Sequence, residues 1–478
     1  MESLLIQHII TPLHAVHLNQ TTPDHRRTQH KMELTLTEED AAHWVYRGEG
    51  AANLVLSYTG SSPSYIGKVM RIRKSPRKES ALQGVRNTIA LTPHERLIWK
   101  DVPELISSSD KEIAGQLYVE HVMKPLLGSK YVDAGTHILV TKEFLETVER
   151  NVASQRPAGR VDVSRVDTQC DFGLLMSDHS IFPQGSQGSI PSLSVEIKPK
   201  CGFLPTSRFI SEETAIKRRK TRFEMHQALK LQHGEISQRS VYNPLDLFSG
   251  SKERIHKAVK DLFTTPQNNF RVFLNGSLIL GGLGGGAEST DASIAKVLED
   301  ELQSVIQADD GQCTENLFTL VTEAVQKSGV LDKLLEVQKL DNIDIEGVIH
   351  AYYNITSQQS MARKALDEEQ AKKYASLHSA SLEESLRIVK DYLIAATAKD
   401  CSLMICFRPR KEEGSGSAYD TVYLESTKQA FDFKVHFIDL DLKRLSKVED
   451  YYKLDKKIVN CYKEMSKLDH GRNGDANL

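Results

Sequence analysis

Apolar and polar residues alternate over several short stretches of the chain. One stretch, residues 44–56, has apolar residues on both sides of a Gly48-Glu49-Gly50 turn, and a second stretch follows at 66–74. Alternation with a period of two is typical of strands that bury one face. The pattern predicts a hairpin with a glycine-rich turn and a further strand beside it. Such a turn covers phosphates in some nucleotide-binding proteins, but most are plain hairpin turns.

The run from Leu193 to Lys200 combines an apolar face with a charged one. The two faces of the predicted strand carry Leu193, Val195 and Ile197 on one side and Glu196, Lys198 and Lys200 on the other. Pro199 removes a backbone donor, so the strand is expected to end there. The pattern leaves two interpretations open: an edge strand with a solvated charged face, or a strand that carries charged groups into a site.

Further strands are predicted in the middle and late parts of the chain. Residues 266–280 form the clearest hairpin, because Asn275-Gly276 supplies the positive φ angles of a type I′ turn. Cys401–Phe407 and Phe431–Asp439 are apolar enough for buried strands. The second of these ends at Asp439. An aspartate at the end of a strand beside a nucleotide cleft binds Mg²⁺ in kinases, but a single aspartate at such a position is more often a cap.

Helical periodicity appears at 143–152, at 212–230 and over most of 290–355, while 156–160 is predicted to be a loop. Ser381-Leu-Glu-Glu384 has the sequence of a capping box. The apolar stripe behind it predicts one buried helix face, formed by Leu382, Leu386, Val389, Leu393 and Ala396. This helix is expected to end at Lys399, which places Asp400 at a helix–strand junction.

Three basic side chains recur every four residues on the helix predicted at 212–230: Arg222, His226 and Lys230. Cations on one helical stripe repel each other unless an anion lies near. The stripe is therefore either a solvated face or part of an anion site. The basic run Lys217–Lys220 is open to two interpretations as well, a nuclear signal or ordinary surface.

The composition narrows the class of protein. At 478 residues the chain is longer than one ordinary hydrophobic core can accommodate. Its formal charge of −3 argues against a protein that coats nucleic acid. The 6 cysteines form no Cys-x-x-Cys pair, which indicates reduced thiols. No apolar run is long enough to span a membrane. We expect a location in the cytoplasm, the nucleus or both, and a monomer.

Three parts are predicted along the chain: a disordered extension at 1–31, with a transit peptide as the alternative, an N-terminal lobe at 32–177 and a C-terminal lobe at 178–478. Met176-Ser-Asp-His179 precedes a segment rich in glycine, serine and proline. This composition is typical of a connection between lobes. The length by itself favours two lobes, or two domains with an insertion.

With Glu196–Pro205, Asn268–Arg271, Asp400 and Ile438-Asp439 in view, the chain resembles the plant inositol-pentakisphosphate 2-kinases from about Trp44 to Lys457. The Glu-Ile-Lys-Pro-Lys stretch is the most specific part of the likeness. The resemblance implies an α+β fold with two lobes, distantly similar to protein kinases. It also implies ATP-dependent phosphorylation of the 2-hydroxyl of inositol 1,3,4,5,6-pentakisphosphate, to give inositol hexakisphosphate (phytate).

Site residues follow from the same resemblance. The implied nucleotide contacts are Gly50, Ala51, Asn53, Arg71, Ser177, Asp178, His179, Glu196, Lys198, Arg271 and Asp439, with Asp439 also binding Mg²⁺. The implied contacts to the inositol phosphate are Arg160, Lys200, Gly202, Arg222, His226, Lys230, Asn268, Lys443, Lys447 and Tyr451. Asp400 is expected to face the reacting hydroxyl, with Lys198 as the second catalytic residue.

The sequence departs from the family at several of these positions. Lys447 replaces an arginine, Ala51 a glycine, and Pro76 a basic residue whose role Arg77 or Arg73 would take. Plant relatives carry a zinc site of two histidines and two cysteines. His350 and His378 are present here, but Ser360 and Arg363 stand at the cysteine positions. We therefore expect no structural zinc.

Two other functions compete with a kinase. An inositol-phosphate receptor without chemistry would keep the basic residues, but would not need Asp400 and Asp439. A nucleic-acid-binding protein would interleave aromatic residues with its basic runs, and Lys217–Arg222 contains none. We expect an inositol polyphosphate as the ligand, and neither nucleic acid nor a membrane as a partner.

Overall fold

Two β-sheets and the helices packed against them give a mixed α+β fold. The computed structural model describes residues 35–50, 52–77, 90–183, 190–282, 289–309, 311–358, 368–410 and 418–474, so the predicted extension at 1–31 lies outside the described residues. The strands are β1 Thr35–Leu36, β2 Trp44–Glu49, β3 Asn53–Tyr58, β4 Lys68–Pro76, β5 Thr136–Val140, β6 Ser164–Val166, β7 Phe172–Ser177, β8 Leu193–Ile197, β9 Phe270–Leu274, β10 Ser277–Leu280, β11 Ser402–Pro409, β12 Asp420–Leu424 and β13 Gln429–Ile438. The helices are α1 Pro93–Ile98, α2 Pro103–Ile106, α3 Lys111–Tyr118, α4 Lys124–Leu127, α5 Lys142–Val152, α6 Ala158–Val163, α7 Arg222–Gln232, α8 Pro244–Leu247, α9 Lys252–Thr264, α10 Ala292–Leu302, α11 Cys313–Ser328, α12 Val330–Gln338, α13 Asp344–Ile355, α14 Glu368–His378, α15 Leu382–Ala398 and α16 Val448–Gly474.

The seven-stranded sheet has the order β1-β5-β7-β4-β3-β2, and β6 pairs with β4. The predicted glycine-rich hairpin is confirmed, because β2 and β3 pair antiparallel from Trp44–Tyr58 to Glu49–Leu54. The side chains of Trp44, Leu54 and Leu56 are buried with Phe144 of α5 in a core of their own. This core fixes one face of the hairpin, and the opposite face looks towards the second sheet.

The six-stranded sheet has the order β10-β9-β8-β11-β13-β12. Strand β8 lies between two antiparallel neighbours, and Ser194 and Glu196 are as buried as the apolar residues beside them. The edge-strand interpretation of Leu193–Lys200 is therefore wrong. Both faces of β8 are covered, so the strand places Glu196 in the interior. The strand ends at Ile197, directly before Lys198.

The hairpin predicted at 266–280 is confirmed. Strands β9 and β10 pair antiparallel, and Asn275 and Gly276 adopt φ angles of 47° and 83°. These positive values are what a type I′ turn requires.

Two helix predictions need correction. Residues 212–230 do not form one helix: Glu212–Arg218 is a 3₁₀ helix, and α7 starts after Thr221, whose hydroxyl accepts from the Glu224 amide. The Thr221 cap marks the start of α7 and so separates it from the 3₁₀ helix before it. The loop predicted at 156–160 is also shorter than expected, because α6 begins after Pro157.

Helix α15 follows its prediction closely. Ser381 caps it by accepting from the Glu384 amide, and Leu386, Val389 and Leu393 are buried. Leu382 is 52% exposed, because the first residue of the helix lies beyond the packed surface. Among the described residues, no helix is both long and apolar enough to cross a membrane.

Candidate functional site

Two adjoining cavities hold most of the predicted site residues. The first, here called the hairpin cavity, has a volume of about 550 Å³ and is lined by residues of β2–β4, β7–β9, β11 and the end of β13. The second, the helix cavity, has a volume of about 440 Å³ and is lined mainly by α7, α15, the start of α16 and the segment after β8. Lys230 and Asn268 line both cavities. A molecule in one cavity is therefore within reach of a molecule in the other.

The hairpin cavity has apolar walls and a charged end. Val55 and Val69 face it from the seven-stranded sheet, and Met404 and Ile438 face it from the six-stranded sheet. Its charged residues include Arg71, Lys198, Glu196, Arg271 and Asp439. An apolar slot with a few convergent polar groups is the usual form of a small-molecule site.

Two ion pairs cross the charged end of this cavity. Lys198 Nζ lies 3.1 Å from Asp439 Oδ2, and Arg71 Nη2 lies 3.0 Å from Asp441 Oδ1. Burial would raise the pKa of Asp439, but Lys198 and Arg71 hold it below its usual value. Burial would likewise lower the pKa of Lys198, and Asp439 and Glu196 raise it. These residues remain ionised at neutral pH.

Arg271 and Glu196 form an ion pair beside the cavity. Arg271 Nη1 lies 3.0 Å from both carboxylate oxygens of Glu196, and Ser402 donates to Glu196 Oε1 at 3.0 Å. The pair joins β9 to β8, and Arg271 Nε also donates to the Gly282 carbonyl at 3.1 Å. Hydrogen bonds between two charged groups are stronger than neutral ones, so these contacts fix this wall of the cavity.

The predicted hinge residues 177–179 line the same cavity. The Ser177 amide donates to Asp133 Oδ2 at 3.0 Å, and the His179 ring stacks on His436 at 3.8 Å between centroids. Burial would raise the pKa of Asp133, but His179 and the amides of Ser177 and Gly135 hold it below its usual value. The connection between the sheets is thus held by a charged carboxylate.

Asp400 lies between two lysines of the helix cavity. Lys443 Nζ is 2.9 Å from Asp400 Oδ2, and Lys200 Nζ is 3.7 Å from Asp400 Oδ1. Burial would raise the pKa of Asp400, but Lys443 and Lys200 keep it below its usual value. Lys200 and Asp439 both adopt a left-handed backbone, with φ of 61° and 60°. Strained backbone of this kind is concentrated at functional sites.

The remaining cations make the helix cavity electropositive. Burial and the nearby Lys198, Lys230 and Lys443 lower the pKa of Lys200 to about 8, although Asp400 acts in the opposite direction. Burial, Arg222 and Lys230 lower the pKa of His226 to about 4. The predicted stripe of Arg222, His226 and Lys230 therefore faces this cavity and not solvent alone. Tyr451 completes its wall. Cations held this close favour a polyanion as the ligand.

Several predicted contacts lie elsewhere. Arg160 lines the hairpin cavity and not the helix cavity. The Gly202 amide already donates to Gln338, and a Cβ at Gly202 would overlap the Phe248 ring. Lys447 lines neither cavity; its Nζ lies 3.0 Å from Asp450, and its side chain is 58% exposed. Asn53 lines a smaller adjoining cavity of about 80 Å³.

The predicted replacements for the basic residue lost at Pro76 also lie outside the helix cavity. Arg73 is 3.6 Å from Asp167, and Arg77 is 3.4 Å from Glu149. Ala51 lies outside the described residues.

Three contacts at the site could not be predicted from the sequence. The Gln338 side chain binds the Lys200 carbonyl and the Gly202 amide. Lys399 pairs with Asp341 at 2.6 Å, and Arg47 donates to Ser180 at 2.7 Å across the hairpin cavity. Each contact joins distant segments. An amphipathic helix pattern could indicate that Gln338 is helical, but not what it would contact.

A buried charge cluster borders the helix cavity. Lys217 donates to Asp344, to Glu346 at 3.1 Å and to Asp455 at 2.7 Å. The three carboxylates are the one group in the described part of the chain whose ligand atoms are close enough for a metal ion. The Lys217 ammonium occupies the position between them that a metal ion would need, and Arg222 also pairs with Asp455. With its side chain 4% exposed, Lys217 is not the surface cation that the interpretation as a nuclear signal requires.

The two histidines of the expected zinc site lie in direct contact. His378 Nε2 is 2.9 Å from His350 Nδ1, and His350 stacks on Tyr374 at 4.0 Å. Burial, together with His378 and Lys456, lowers the pKa of His350 to about 3. Ser360 and Arg363 lie outside the described residues, so the loss of zinc stays a prediction.

The chain is similar in sequence to known proteins over most of its length. Residues 46–457 match the family described as inositol-pentakisphosphate 2-kinase. The protein of that name from Arabidopsis thaliana is 53% identical over 440 residues, which cover 92% of this chain and 97% of the relative. Its counterpart from Oryza sativa subsp. japonica is 50% identical over 432 residues (90% and 96%), and that from Danio rerio is 31% identical over 489 residues (90% and 95%). The resemblance inferred from the Glu-Ile-Lys-Pro-Lys stretch is confirmed, and the chain belongs to the inositol-pentakisphosphate 2-kinase family.

Proposed function

We propose that the protein transfers the γ-phosphoryl group of ATP to the 2-hydroxyl of inositol 1,3,4,5,6-pentakisphosphate. The product is inositol hexakisphosphate. The observation that carries this proposal is the junction of an apolar, nucleotide-sized cavity with a strongly basic one, each with an aspartate, Asp439 and Asp400, beside a lysine.

ATP occupies the hairpin cavity in this proposal. The base lies between Val55 and Val69 on one side and Met404 and Ile438 on the other, next to the hinge residues 177–179. Gly50, directly after β2, lines the cavity and has no side chain between the hairpin backbone and the phosphates. The phosphates then extend towards Arg71 and Lys198.

Asp439 fits a magnesium ion. Mg²⁺ takes one or two carboxylates together with substrate phosphates and water. The Asp439 side chain is 46% exposed and ionised, and it follows a buried strand that holds it in place. Bound there, Mg²⁺ would neutralise charge on the transferred phosphoryl group. Lys198 and Arg71 do the same from the protein side.

The inositol phosphate occupies the helix cavity. Five phosphates carry about −1.5 to −2 charges each, and a protein of net charge −3 can hold them only by concentrating cations. Lys200, Arg222, Lys230 and Lys443 supply these from three separate segments, since Arg222 and Lys230 both lie on α7. Arg160 reaches the ligand from the hairpin side, where Lys230 and Asn268 connect the two cavities.

Asp400 accepts the proton of the 2-hydroxyl, or orients that hydroxyl for attack. Its low pKa keeps the carboxylate ionised, as an acceptor must be. Lys443 and Lys200 hold its two oxygens from either side. Phosphoryl transfer depends chiefly on such positioning and on charge neutralisation.

The two sheets correspond to two lobes in this proposal, distantly similar to those of protein kinases, with the division near residue 178. Residues 90–132 lie before that division in the sequence, but their apolar side chains pack into the core of the six-stranded sheet. The lobes would therefore be interleaved, with α1–α4 belonging by packing to the second. We propose that the protein acts as a monomer.

Incubation of the protein with ATP, Mg²⁺ and inositol 1,3,4,5,6-pentakisphosphate tests the function. Separation of the products by anion exchange should show inositol hexakisphosphate and ADP in equal amounts. Inositol hexakisphosphate as the acceptor is the control, because it has no free hydroxyl. Tight binding of the pentakisphosphate without ATP consumption would contradict the kinase proposal and favour a non-catalytic inositol-phosphate receptor.

A further inference from the structure

The Gln338 side chain joins three backbone groups from two separate segments. Its Nε2 donates to the Lys200 carbonyl at 2.8 Å and to the Ala398 carbonyl at 3.1 Å. Its Oε1 accepts from the Gly202 amide at 2.8 Å. Gln338 is completely buried, and both amide hydrogens are used. Two carbonyls and one N–H admit a single orientation of this amide.

Both segments need an outside partner for their backbone. Lys200 adopts a φ of 61°, a conformation that costs a residue with a side chain free energy and persists only where the surroundings impose it. Ala398 is the last residue of α15, where carbonyls lack partners within the helix. Gln338 provides a partner to each segment at once.

The segments that Gln338 joins carry Asp400, which is proposed to act on the reacting hydroxyl, and Lys200, which holds one of its carboxylate oxygens. Asp400 comes two residues after Ala398, and its Oδ1 lies 3.7 Å from Lys200 Nζ. A second tie supports the same end of α15, since Lys399 Nζ lies 2.6 Å from Asp341, three residues beyond Gln338. The relative position of Lys200 and Asp400 therefore depends on the end of α12.

We infer that Gln338 is a positioning residue for phosphoryl transfer: it holds the Lys200 turn and the end of α15 in register, so that Lys200 and Asp400 meet at the acceptor hydroxyl. The inference rests on the proposed function. A displacement of about 1 Å at a reacting group can lower the rate about 100-fold. Loss of the three hydrogen bonds should therefore affect turnover far more than binding, because Arg222, Lys230 and Lys443 hold the other phosphates independently of Gln338.

Gln338→Met tests this inference, because methionine keeps the length and volume of the side chain but makes none of the three hydrogen bonds. We expect kcat to fall about 10- to 100-fold. KM for ATP and for the inositol phosphate should change less than about threefold. The fall of kcat/KM at alkaline pH should move to higher pH. Without the Gln338 hydrogen bonds the backbone at Lys200 can move, which would expose the Lys200 ammonium and remove the burial that lowers its pKa.

Asn316→Leu is the matched control. Asn316 is a buried amide that binds Ser426 and the Gln312 carbonyl at the other end of the large core, away from both cavities. The Asn316→Leu substitution should lower the melting temperature but leave kcat and the pH profile of kcat/KM unchanged. If Gln338→Met behaves like this control, with only stability reduced, Gln338 has a structural role and the inference is wrong. An inactive wild-type protein would refute the proposed function instead.

Gln338→Glu keeps the test decisive if the methionine variant does not fold. A glutamate retains the acceptor for Gly202 but faces two carbonyls with a carboxylate, and burial raises the pKa of such a group. Protonation restores one donor. We expect kcat of this variant, relative to wild type, to rise as the pH falls from 8 to about 6. A ratio that does not change with pH would contradict the inference.

Discussion

Arg71 Nη2 lies 3.0 Å from Asp441 Oδ1, an ion pair that joins β4 of the seven-stranded sheet to the loop after β13 of the six-stranded sheet. Lys198 and Asp439 form a second pair at 3.1 Å within the six-stranded sheet. The same cations face the cavity proposed for the nucleotide. Phosphates entering this end of the cavity therefore meet cations that are already oriented and charged, which lowers the cost of binding them.

Arg71→Met should raise KM for ATP at least tenfold and leave KM for the inositol phosphate within about twofold, because charged hydrogen bonds contribute about 1.5–3 kcal/mol. Arg71→Lys should recover part of the loss, as lysine keeps the charge without the planar fork. Arg254→Met, which removes an exposed pair with Asp246, is the control. Steady-state kinetics measure all three. Equal effects on both substrates would contradict the placement of ATP beside Arg71.

Asp400→Asn should lower kcat about 100- to 10,000-fold, the range for loss of a general acid or base. Binding of the inositol phosphate should be unchanged or tighter, because a negative charge leaves a basic cavity. Isothermal titration with the pentakisphosphate and a turnover assay separate the two effects. Asp332→Asn, on the exposed side of α12, should change neither. Full turnover in the Asp400 variant would remove this residue from the mechanism.

Lys200 should make the protein less stable in the absence of ligand. Its pKa of about 8 lies below that of an unfolded lysine, so the cost of its burial is fully present below pH 8 and fades as the pH rises from 8 towards 10.4. Lys200→Met should therefore raise the melting temperature at pH 7 and have little effect near pH 10. Scanning calorimetry at the two pH values checks this. An equal change at both would mean that the effect comes from packing and not from charge.

Activity should depend on the same ammonium. The ratio kcat/KM reports groups of the free enzyme, so it should fall as the pH rises through about 8, where Lys200 loses its proton. His226, with a pKa of about 4, is neutral over this range and should contribute no limb between pH 6 and 9. A profile of kcat/KM from pH 6 to 10 tests both statements, and His226→Asn should leave its shape unchanged.

Lys217→Met should destabilise the fold by about 3–5 kcal/mol, because it removes the cation that Asp344 and Glu346 share with Asp455, and only Asp455 keeps another cation, Arg222. Lys220→Met removes a half-exposed pair with Glu224 and should cost less than about 1 kcal/mol. Urea unfolding monitored by circular dichroism measures both. A small effect at Lys217 would mean that the carboxylates are protonated or solvated in the variant.

The sequence predicted the strands at 44–56, 193–197 and 270–280 and the capped helix at 382–398 because these elements depend on local periodicity and turn chemistry. It failed where local rules compete. Residues 212–230 have a helical composition throughout, yet Thr221 caps a new helix in their middle. The charged face of β8 looks like a solvent face until its two neighbouring strands are in place.

Residues of the site were predicted mostly through the family resemblance. The structure then distinguished those that share a cavity from those that lie elsewhere. Lys200, Arg222, Lys230 and Lys443 meet in one cavity. Lys447 lines neither cavity, and the Gly202 amide already has a partner within the protein. Gln338 was missed because a buried amide on an amphipathic helix has no distinctive sequence pattern.

The sequence by itself determined the strands, the turns, the helix caps and the presence of many cations in a chain of slightly negative net charge, because each depends on neighbouring residues or on composition. The tertiary structure decided which cations share a cavity, that β8 is central, and that Lys217 is internal. Those outcomes depend on contacts between segments far apart in the chain, which form only when the sheets and helices pack.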